Sequence, residues 1–212
     1  MFKPNYSLTL RHAALALAIG IACASAGLAS AQTMHVELNT ASLGSSGFLD
    51  LQFNPEQVPA SFASATISHL SGFGDLSGVS LLGDVHANSG GFVFGNTSDY
   101  NDLFQAMSFG GKVSFDVTFG GLSDPSPVAF QSKFAVSLYG ADGTTPLGNF
   151  KPQDSSLMSI TWQPTAGAGA VSSDITDHAI GSISAVPEPS AWAMLGAGLA
   201  LVGFARRRKL AA

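Results

Sequence analysis

Cysteine is nearly absent from this sequence, since Cys23 is the only one in 212 residues. It lies inside the N-terminal apolar segment discussed below, so the rest of the chain has neither a disulfide nor a thiol nucleophile. Small exported domains often depend on disulfides, because oxidising compartments preserve them. Any domain in this chain must therefore be stabilised by packing alone.

Arginine is missing from residues 32–186, and only three lysines remain there, Lys112, Lys133 and Lys151. The same stretch contains thirteen carboxylates, which gives it a net charge of −10 with histidine neutral. Binding to nucleic acid depends on lysine and arginine. The balance argues against nucleic acid and anionic lipid as partners, and it is typical of a soluble extracellular domain whose copies repel one another.

Motifs of common catalytic sites are also missing. The histidines of the central region, His35, His69, His86 and His178, lack the spacing of zinc ligands. No G-x-S-x-G nucleophile elbow occurs, and no glycine pair is followed by the Lys-Ser/Thr of a phosphate-binding loop. The sequence therefore predicts no catalytic residue, no metal site and no enzyme; a secreted hydrolase built from distant carboxylates is the weakest alternative.

The N-terminus carries a targeting signal. Residues 1–31 combine a basic start, an apolar core and a small-x-small cleavage site at Ala29 and Ala31. A lipoprotein alternative through Cys23 lacks the leucine of a lipidation box, because Gly20 occupies that position. We expect a signal peptide over 1–31 and export by the Sec machinery.

The C-terminus carries a second signal, which begins with a proline-rich motif. The two prolines cannot join a helix interior, so this motif should be extended and open to a protease. A serine at its end can cap a following helix. The five residues of the motif are Val186, Pro187, Glu188, Pro189 and Ser190.

A short apolar segment and a basic end follow this motif. The apolar run over 191–205 has 15 residues, whereas a full membrane span needs about 20. Its predicted transmembrane residues include Ala191, Trp192, Leu195, Gly198, Leu201 and Phe204. A basic stop should remain on the cytoplasmic side; it consists of Arg206, Arg207, Arg208 and Lys209.

The order of these parts resembles the PEP-CTERM sorting signal over 186–209. The resemblance implies a substrate of exosortase, a membrane-embedded cysteine transpeptidase-like enzyme of Gram-negative bacteria that make exopolysaccharide. It implies a precursor tethered to the inner membrane, cleavage near 187–190, and release or attachment at the cell surface. An ordinary tail anchor that is never cut is the alternative. The stretches at 52–55, 91–94 and 100–119 also resemble PEP-CTERM ectodomains of unknown role.

The region between the two signals, residues 32–185, is predicted to be an all-β ectodomain. Apolar and polar residues alternate with period two, most clearly over 112–119, which indicates half-buried strands. An Asp142-Gly143 pair predicts a hairpin turn. Eight to ten short strands at regular spacing favour an antiparallel, jelly-roll-like β-sandwich. The other strand candidates are 34–38, 48–53, 65–70, 91–94, 128–139, 157–162 and 175–184.

Two segments of this region are predicted not to be strands. Residues 98–107 open with the capping residue Ser98 and place acids in a first turn, which is typical of a short helix. Residues 164–170 alternate glycine and alanine, so we expect a flexible loop there.

Aromatic and acidic side chains supply the candidate ligand residues. Tyr100, Tyr139 and Trp162 can stack on pyranose rings, and Trp162 is the best candidate because it stands at a strand end. Solvated loop acids are the simpler interpretation of the carboxylates, although calcium binding is an alternative without any EF-hand loop. The acids considered for calcium are Asp75, Asp84, Asp99, Asp102 and Asp124.

The function expected from these observations is a non-enzymatic protein without a cofactor. It is exported, sorted at its C-terminal motif, and placed at the cell surface or in the extracellular matrix, in an exopolysaccharide or biofilm setting. The alternative is a carbohydrate-binding module of the same fold, with or without calcium.

Overall fold

A computed structural model describes residues 32–121, 130–165, 168–187 and 193–200. The predicted signal peptide, the calcium candidate Asp124 and the basic stop lie outside the described residues. The described strands pair in antiparallel fashion throughout, which confirms the predicted all-β antiparallel class. They are β1 (Gln32–Asn39), β2 (Ser46–Pro55), β3 (Ala63–Ser71), β4 (Ser80–Leu82), β5 (Val85–Asn88), β6 (Gly91–Gly95), β7 (Asp102–Ser108), β8 (Lys112–Gly121), β9 (Ser132–Tyr139), β10 (Met158–Thr165), β11 (Ala168–Ile175) and β12 (Gly181–Ala185).

These strands form two six-stranded sheets. Sheet A has the order β12-β1-β8-β3-β6-β5, and sheet B has the order β11-β10-β9-β2-β7-β4. Strand β1 pairs with β8, β2 with β7, and β3 with β6. This nested pairing, continued by β8 with β3 and β7 with β4, is the pattern of a jelly roll.

The inner faces of the two sheets share one hydrophobic core. Phe53 of sheet B lies 6.1 Å from Phe119 of sheet A, measured between ring centroids, and Phe94 lies 5.6 Å from Phe134 across the same interface. All four rings are almost completely buried. Aromatic rings from both sheets thus pack against one another and stabilise the sandwich, in which no disulfide can form.

The strand directions place both chain exits at one end of the sandwich. β1 begins there with Gln32, and the antiparallel β12 ends there with Ala185. The backbone N–H of Val186 still donates to the carbonyl of Thr33 at 2.9 Å. We call this end, together with the loops 56–62, 83–84 and 96–101, the chain-exit end. The opposite end is formed by the loops 40–45, 72–79, 89–90, 109–111, 140–157 and 176–180.

The helix predicted over 98–107 is wrong, because residues 102–108 form strand β7. Leu103, Gln105 and Met107 point inward with period two, and tertiary pairing with β2 prevails over the local capping signal. In the described part of the chain, helical structure comprises a 3-10 helix at Leu76–Gly78 and a helix at 193–200.

The flexible loop predicted over 164–170 is also wrong for its described residues. Strand β10 continues to Thr165, and β11 begins at Ala168. The glycine at 169 fits because the indole of Trp162 occupies the space that a Cβ would need. The predicted strand over 175–184 is divided, since β11 ends at Ile175 and β12 begins at Gly181.

No helix among the described residues is both long and apolar enough to cross a membrane. The predicted transmembrane segment at 191–205 is described only over 193–200, where every residue of the helix is exposed.

Candidate functional site

The sorting motif begins where the folded domain ends. Strand β12 stops at Ala185, Val186 is half-buried against β1, and Pro187 is exposed. Glu188, Pro189 and Ser190 of the motif lie outside the described residues. A cut after Pro187 would therefore leave every hydrogen bond of β12 in place.

A second cluster lies on the outer face of sheet B. Along β2, the side chains of Leu49, Leu51 and Phe53 enter the core, so Phe48, Asp50 and Gln52 point outward. Neighbouring strands and the loop before β7 add further side chains to this face. We call the following set the outer-face cluster: Phe48, Asp50, Gln52, Tyr100, Asp102, Phe104, Ser137 and Tyr139.

Two carboxyl groups form the centre of the outer-face cluster. Asp50 is 4% exposed and Asp102 is 9% exposed. The strand register sets Gln52 opposite Asp102, so the two acids are diagonal neighbours on adjacent strands. One oxygen of each, Oδ1, receives no hydrogen bond from any described residue. A proton shared between the two carboxyls would supply the missing donor.

The environment of the pair favours the protonated form of its carboxyl groups. Burial, followed by the hydrogen bond to Asp102 and its charge, raises the pKa of Asp50 from its ordinary value of 3.8 to about 8. Burial also raises the pKa of Asp102, whereas its hydrogen bond with Asp50 lowers it. Burial therefore favours retention of one proton by the pair at neutral pH, and the two acids titrate as one unit.

Aromatic side chains surround this pair. The rings of Phe48 and Phe104 stack with centroids 4.7 Å apart, and Tyr139 lies 6.1 Å from Phe104. The amide of Gln52 donates to Asp50 at 2.9 Å and to the hydroxyl of Tyr100 at 3.0 Å. The face thus offers half-exposed rings beside polar groups that are already held in place.

The charges of the pair also reach the tyrosines. Burial, with the charges of Asp102 and Asp50, raises the pKa of Tyr100 to about 12. Burial raises the pKa of Tyr139 as well, although a hydrogen bond with Ser155 opposes that change. Both phenols remain neutral hydrogen-bonding groups throughout the physiological range.

The structure separates the three predicted ligand aromatics. Tyr100 is 44% exposed and Tyr139 is half-buried, and both belong to the outer-face cluster. Trp162 is only 3% exposed and points into the core, beside Gly121 and Gly169. Since its ring cannot meet a sugar from solvent, Trp162 is wrong as the leading ligand residue. Its position on β10 fixes it on the inner face.

The outer face of sheet A carries a different cluster. Asp116 lies between two histidines, with Oδ1 at 2.6 Å from Nδ1 of His35 and Oδ2 at 3.0 Å from Nδ1 of His69. His86 contacts Asp84 at 3.1 Å. Within the described residues, no three His, Cys, Asp or Glu side chains are arranged to hold a metal ion. Three of the calcium candidates instead have other contacts, since Asp75 caps the 3-10 helix, Asp84 accepts from Thr97, and Asp102 pairs with Asp50.

Asp50, Gln52 and Phe104 were missed by sequence reasoning. Asp50 sits in a clear alternating strand, where an acid is normally solvated. Once residues 102–108 are assigned to a strand, alternation places Asp102 and Phe104 on one face. The cluster could therefore have been predicted if residues 102–108 had been assigned to a strand. The capping pattern at Ser98 favoured a helix instead.

The geometry defines an antiparallel β-sandwich domain, and a short helix at 193–200 follows it in the chain. A family model described as the PEP-CTERM protein-sorting motif matches residues 185–209. The chain therefore carries a PEP-CTERM sorting motif, and the resemblance recognised in its tail is confirmed. The motif indicates exosortase-dependent sorting to the cell surface from an exported, membrane-associated precursor. The comparisons with curated proteins and with solved structures returned no match.

Proposed function

We propose that this chain is a non-enzymatic protein of the cell surface or extracellular matrix, cut by exosortase within residues 187–190. Its product is the β-sandwich, which acts in an exopolysaccharide or biofilm setting. One observation carries the proposal: the matched sorting motif starts at residue 185, where the last strand of the sandwich ends. Folded domain and sorting signal are therefore separable by a single cut.

The geometry of the polar clusters supports a role without catalysis. In a Ser-His-Asp triad, serine and aspartate contact opposite ring nitrogens of the histidine. Here Ser68 and Asp116 both contact Nδ1 of His69. Glycosidase carboxyls flank a scissile bond that reaches them from solvent, whereas Asp50 and Asp102 are diagonal neighbours that are both buried.

Intact-mass measurement in the exosortase-bearing host tests this proposal. We expect a product that lacks the tail and ends near 187–190, and a membrane-retained chain that reaches Ala212 in an exosortase-deletion strain. Deletion of residues 186–212 should release the protein from the membrane fraction in both strains. A matched control, Lys112→Ala, changes a distant exposed cation and should leave processing unchanged.

Two results would contradict the proposal. A chain that reaches Ala212 in both strains would indicate a plain tail anchor. Unchanged membrane fractionation after deletion of 186–212 would remove the sorting role of the tail.

The outer-face cluster favours a second candidate function, carbohydrate binding by the exported sandwich. Half-exposed aromatic rings next to fixed polar groups are what sugar recognition needs, because rings stack on the apolar face of a pyranose while polar groups bind its hydroxyls. Tyr100, Tyr139 and Phe104 provide the rings here, and Gln52 provides a positioned amide. Trp162 has no part in this version of the hypothesis.

Titration of the processed protein with host polysaccharide, with and without a chelator, tests this candidate. We expect Tyr139→Ala to weaken binding by about tenfold, since one aromatic contact is worth about 1–2 kcal/mol. The control is Phe62→Ala, which removes an exposed aromatic side chain outside the outer-face cluster and should leave sugar binding unchanged. Absence of binding in both conditions would remove the candidate, and loss with chelator alone would make calcium part of the site.

A further inference from the structure

We propose that the chain-exit end of the sandwich rests on the lipid surface while the precursor is tethered, and that Val58, Phe62 and Leu82 make the contact. The inference rests on the proposed tethering through the C-terminal helix. It concerns a surface of the sandwich itself, which lies outside the matched sorting motif.

The distribution of exposed apolar side chains carries the inference. Among the described residues of the sandwich, four large hydrophobic side chains are exposed: Val58 at 48%, Phe62 at 49%, Leu82 at 55% and Tyr100 at 44%. Val58 and Phe62 lie in the loop after β2, Leu82 ends β4, and Tyr100 precedes β7. All four therefore belong to the chain-exit end. Single exposed apolar residues are ordinary, but their concentration at one end marks that end as an interface.

Buried asparagines hold the loops of this end together. The amide nitrogen of Asn96 donates to the carbonyl of Ser61 at 2.8 Å, which joins the loop before β7 to the loop after β2. Asn101 accepts from the backbone N–H of Asp84 at 2.8 Å and donates to the carbonyl of Phe53 at 2.9 Å. Both asparagines are almost completely buried. The loops that carry the exposed side chains are therefore joined to one another by buried hydrogen bonds.

The length of the tether keeps this end close to the membrane. The predicted apolar run begins at Ala191, five residues after Val186. A fully extended chain covers at most about 3.6 Å per residue, so the distance from Val186 to the start of that run is at most about 18 Å. The interfacial and headgroup region of a leaflet alone is several ångströms thick. A sandwich tethered this closely must present its chain-exit end to the bilayer.

Charge selects the kind of lipid surface. The exposed acids Glu56 and Asp99 lie in the same loops as the apolar side chains. Neither loop contains a lysine or arginine. Attraction to anionic headgroups needs cations, so contact must come from apolar insertion among neutral headgroups. Zwitterionic lipid is therefore the committed partner, and added anionic lipid should weaken the contact.

Site-specific fluorescence quenching in vesicles tests the inference with the full precursor. In a Cys23→Ser background, a single label is placed by Gln57→Cys at the chain-exit end or by Ser89→Cys at the opposite end; both positions are exposed. The vesicles contain phosphatidylcholine and phosphatidylethanolamine with brominated acyl chains. We expect lipid quenching at position 57 to exceed that at position 89 by about twofold or more, and aqueous iodide to show the reverse order.

A triple variant serves as the matched test of the named side chains. Val58→Ser, Phe62→Ser and Leu82→Ser should bring lipid quenching at position 57 down to the level at position 89, while the label at 89 stays unchanged. Equal quenching at both positions in a precursor that sediments with the vesicles would overturn this inference alone. A precursor that does not sediment with them would overturn the tethering proposal as well. If position 57 is protected from iodide only when exosortase is present, the lipid assignment is overturned. The chain-exit end would then contact the enzyme.

Discussion

The two outer faces of the sandwich carry carboxylates in similar strand positions but in different surroundings. On sheet A, Asp116 lies between His35 and His69 and keeps access to solvent. On sheet B, Asp50 and Asp102 are buried and face each other without a cation among their hydrogen-bond partners. Lys133, on the same face, contacts Asp154 instead. The neighbours of each acid, and not its residue type or its place in the alternation, decide what stabilises its carboxyl group.

The physical reason is the cost of burying a charge. A carboxylate removed from water is stabilised only by a partner of opposite charge, by donors, or by a proton. Asp116 obtains donors from imidazoles, whereas the pair on sheet B retains a proton. Sheet A therefore has a solvated polar face, and sheet B has a partly apolar face with a proton-sharing centre.

The largest expected effect concerns the inner and outer aromatics of sheet B. We expect Trp162→Ala to lower the free energy of unfolding by about 3–5 kcal/mol, because it leaves a cavity beside Gly121 and Gly169. Tyr100→Ala, at an exposed position, should cost about 1 kcal/mol or less. Urea unfolding followed by circular dichroism measures both. Equal losses would mean that Trp162 is not part of the core.

The next effect sharpens the contrast between the outer faces through pH. The folded state holds a proton on Asp50 up to about pH 8, whereas the unfolded chain releases it near 3.8. The protonated Asp50 therefore contributes its full stabilisation of the folded state below pH 4. This stabilisation decreases as the pH rises and is lost once the pH passes about 8. We expect Asp50→Asn to match the parent at pH 5 and to exceed its free energy of unfolding at pH 9 by on the order of 4 kcal/mol.

The control for this prediction is Asp102→Asn, which also removes one carboxyl of the pair while keeping an amide in its place. It should flatten the same part of the pH profile, and the double variant should gain little more, since the two acids act as one unit. Unfolding curves at pH 5, 7 and 9 measure this. A parent profile that does not fall between pH 5 and 9 would refute the shared proton.

The alternation of apolar and polar residues predicted the sandwich well, because side chains of a strand with one buried face are buried at every second position. The stretch at 112–119 became β8 over Lys112–Gly121, with Val113, Phe115, Val117 and Phe119 inward. Leu103, Gln105 and Met107 are buried at alternate positions in the same way. Their sequence does not show an apolar alternation, because Gln105 is polar. The amide nitrogen of the buried Gln105 donates to the carbonyls of Asp75 and Ala106. The bond to Asp75 joins residues that are distant in sequence, so it is not visible in local sequence.

The candidate sites divide in the same way. The sorting motif is local, so the residues 186–209 could be assigned from their order alone, and the family match covers nearly the same range. The outer-face cluster combines β2, β7, β9 and a loop. Its centre depends on the diagonal position of Asp50 and Asp102, which are 52 residues apart in sequence and lie on two adjacent strands. The pairing of β2 with β7 and its register bring the two acids together. Neither the pairing nor the register can be read from spacing along the chain.

The smallest effect completes the contrast on sheet A. Asp116→Asn removes the carboxylate between His35 and His69, whose side chains are 42% and 81% exposed. Exposed ion pairs contribute about 0–1 kcal/mol because water already solvates both partners. We expect a loss of less than about 1 kcal/mol in the free energy of unfolding, reduced further at high salt. A loss as large as that of Trp162→Ala would mean that Asp116, like the pair on sheet B, is held in a site from which water is excluded.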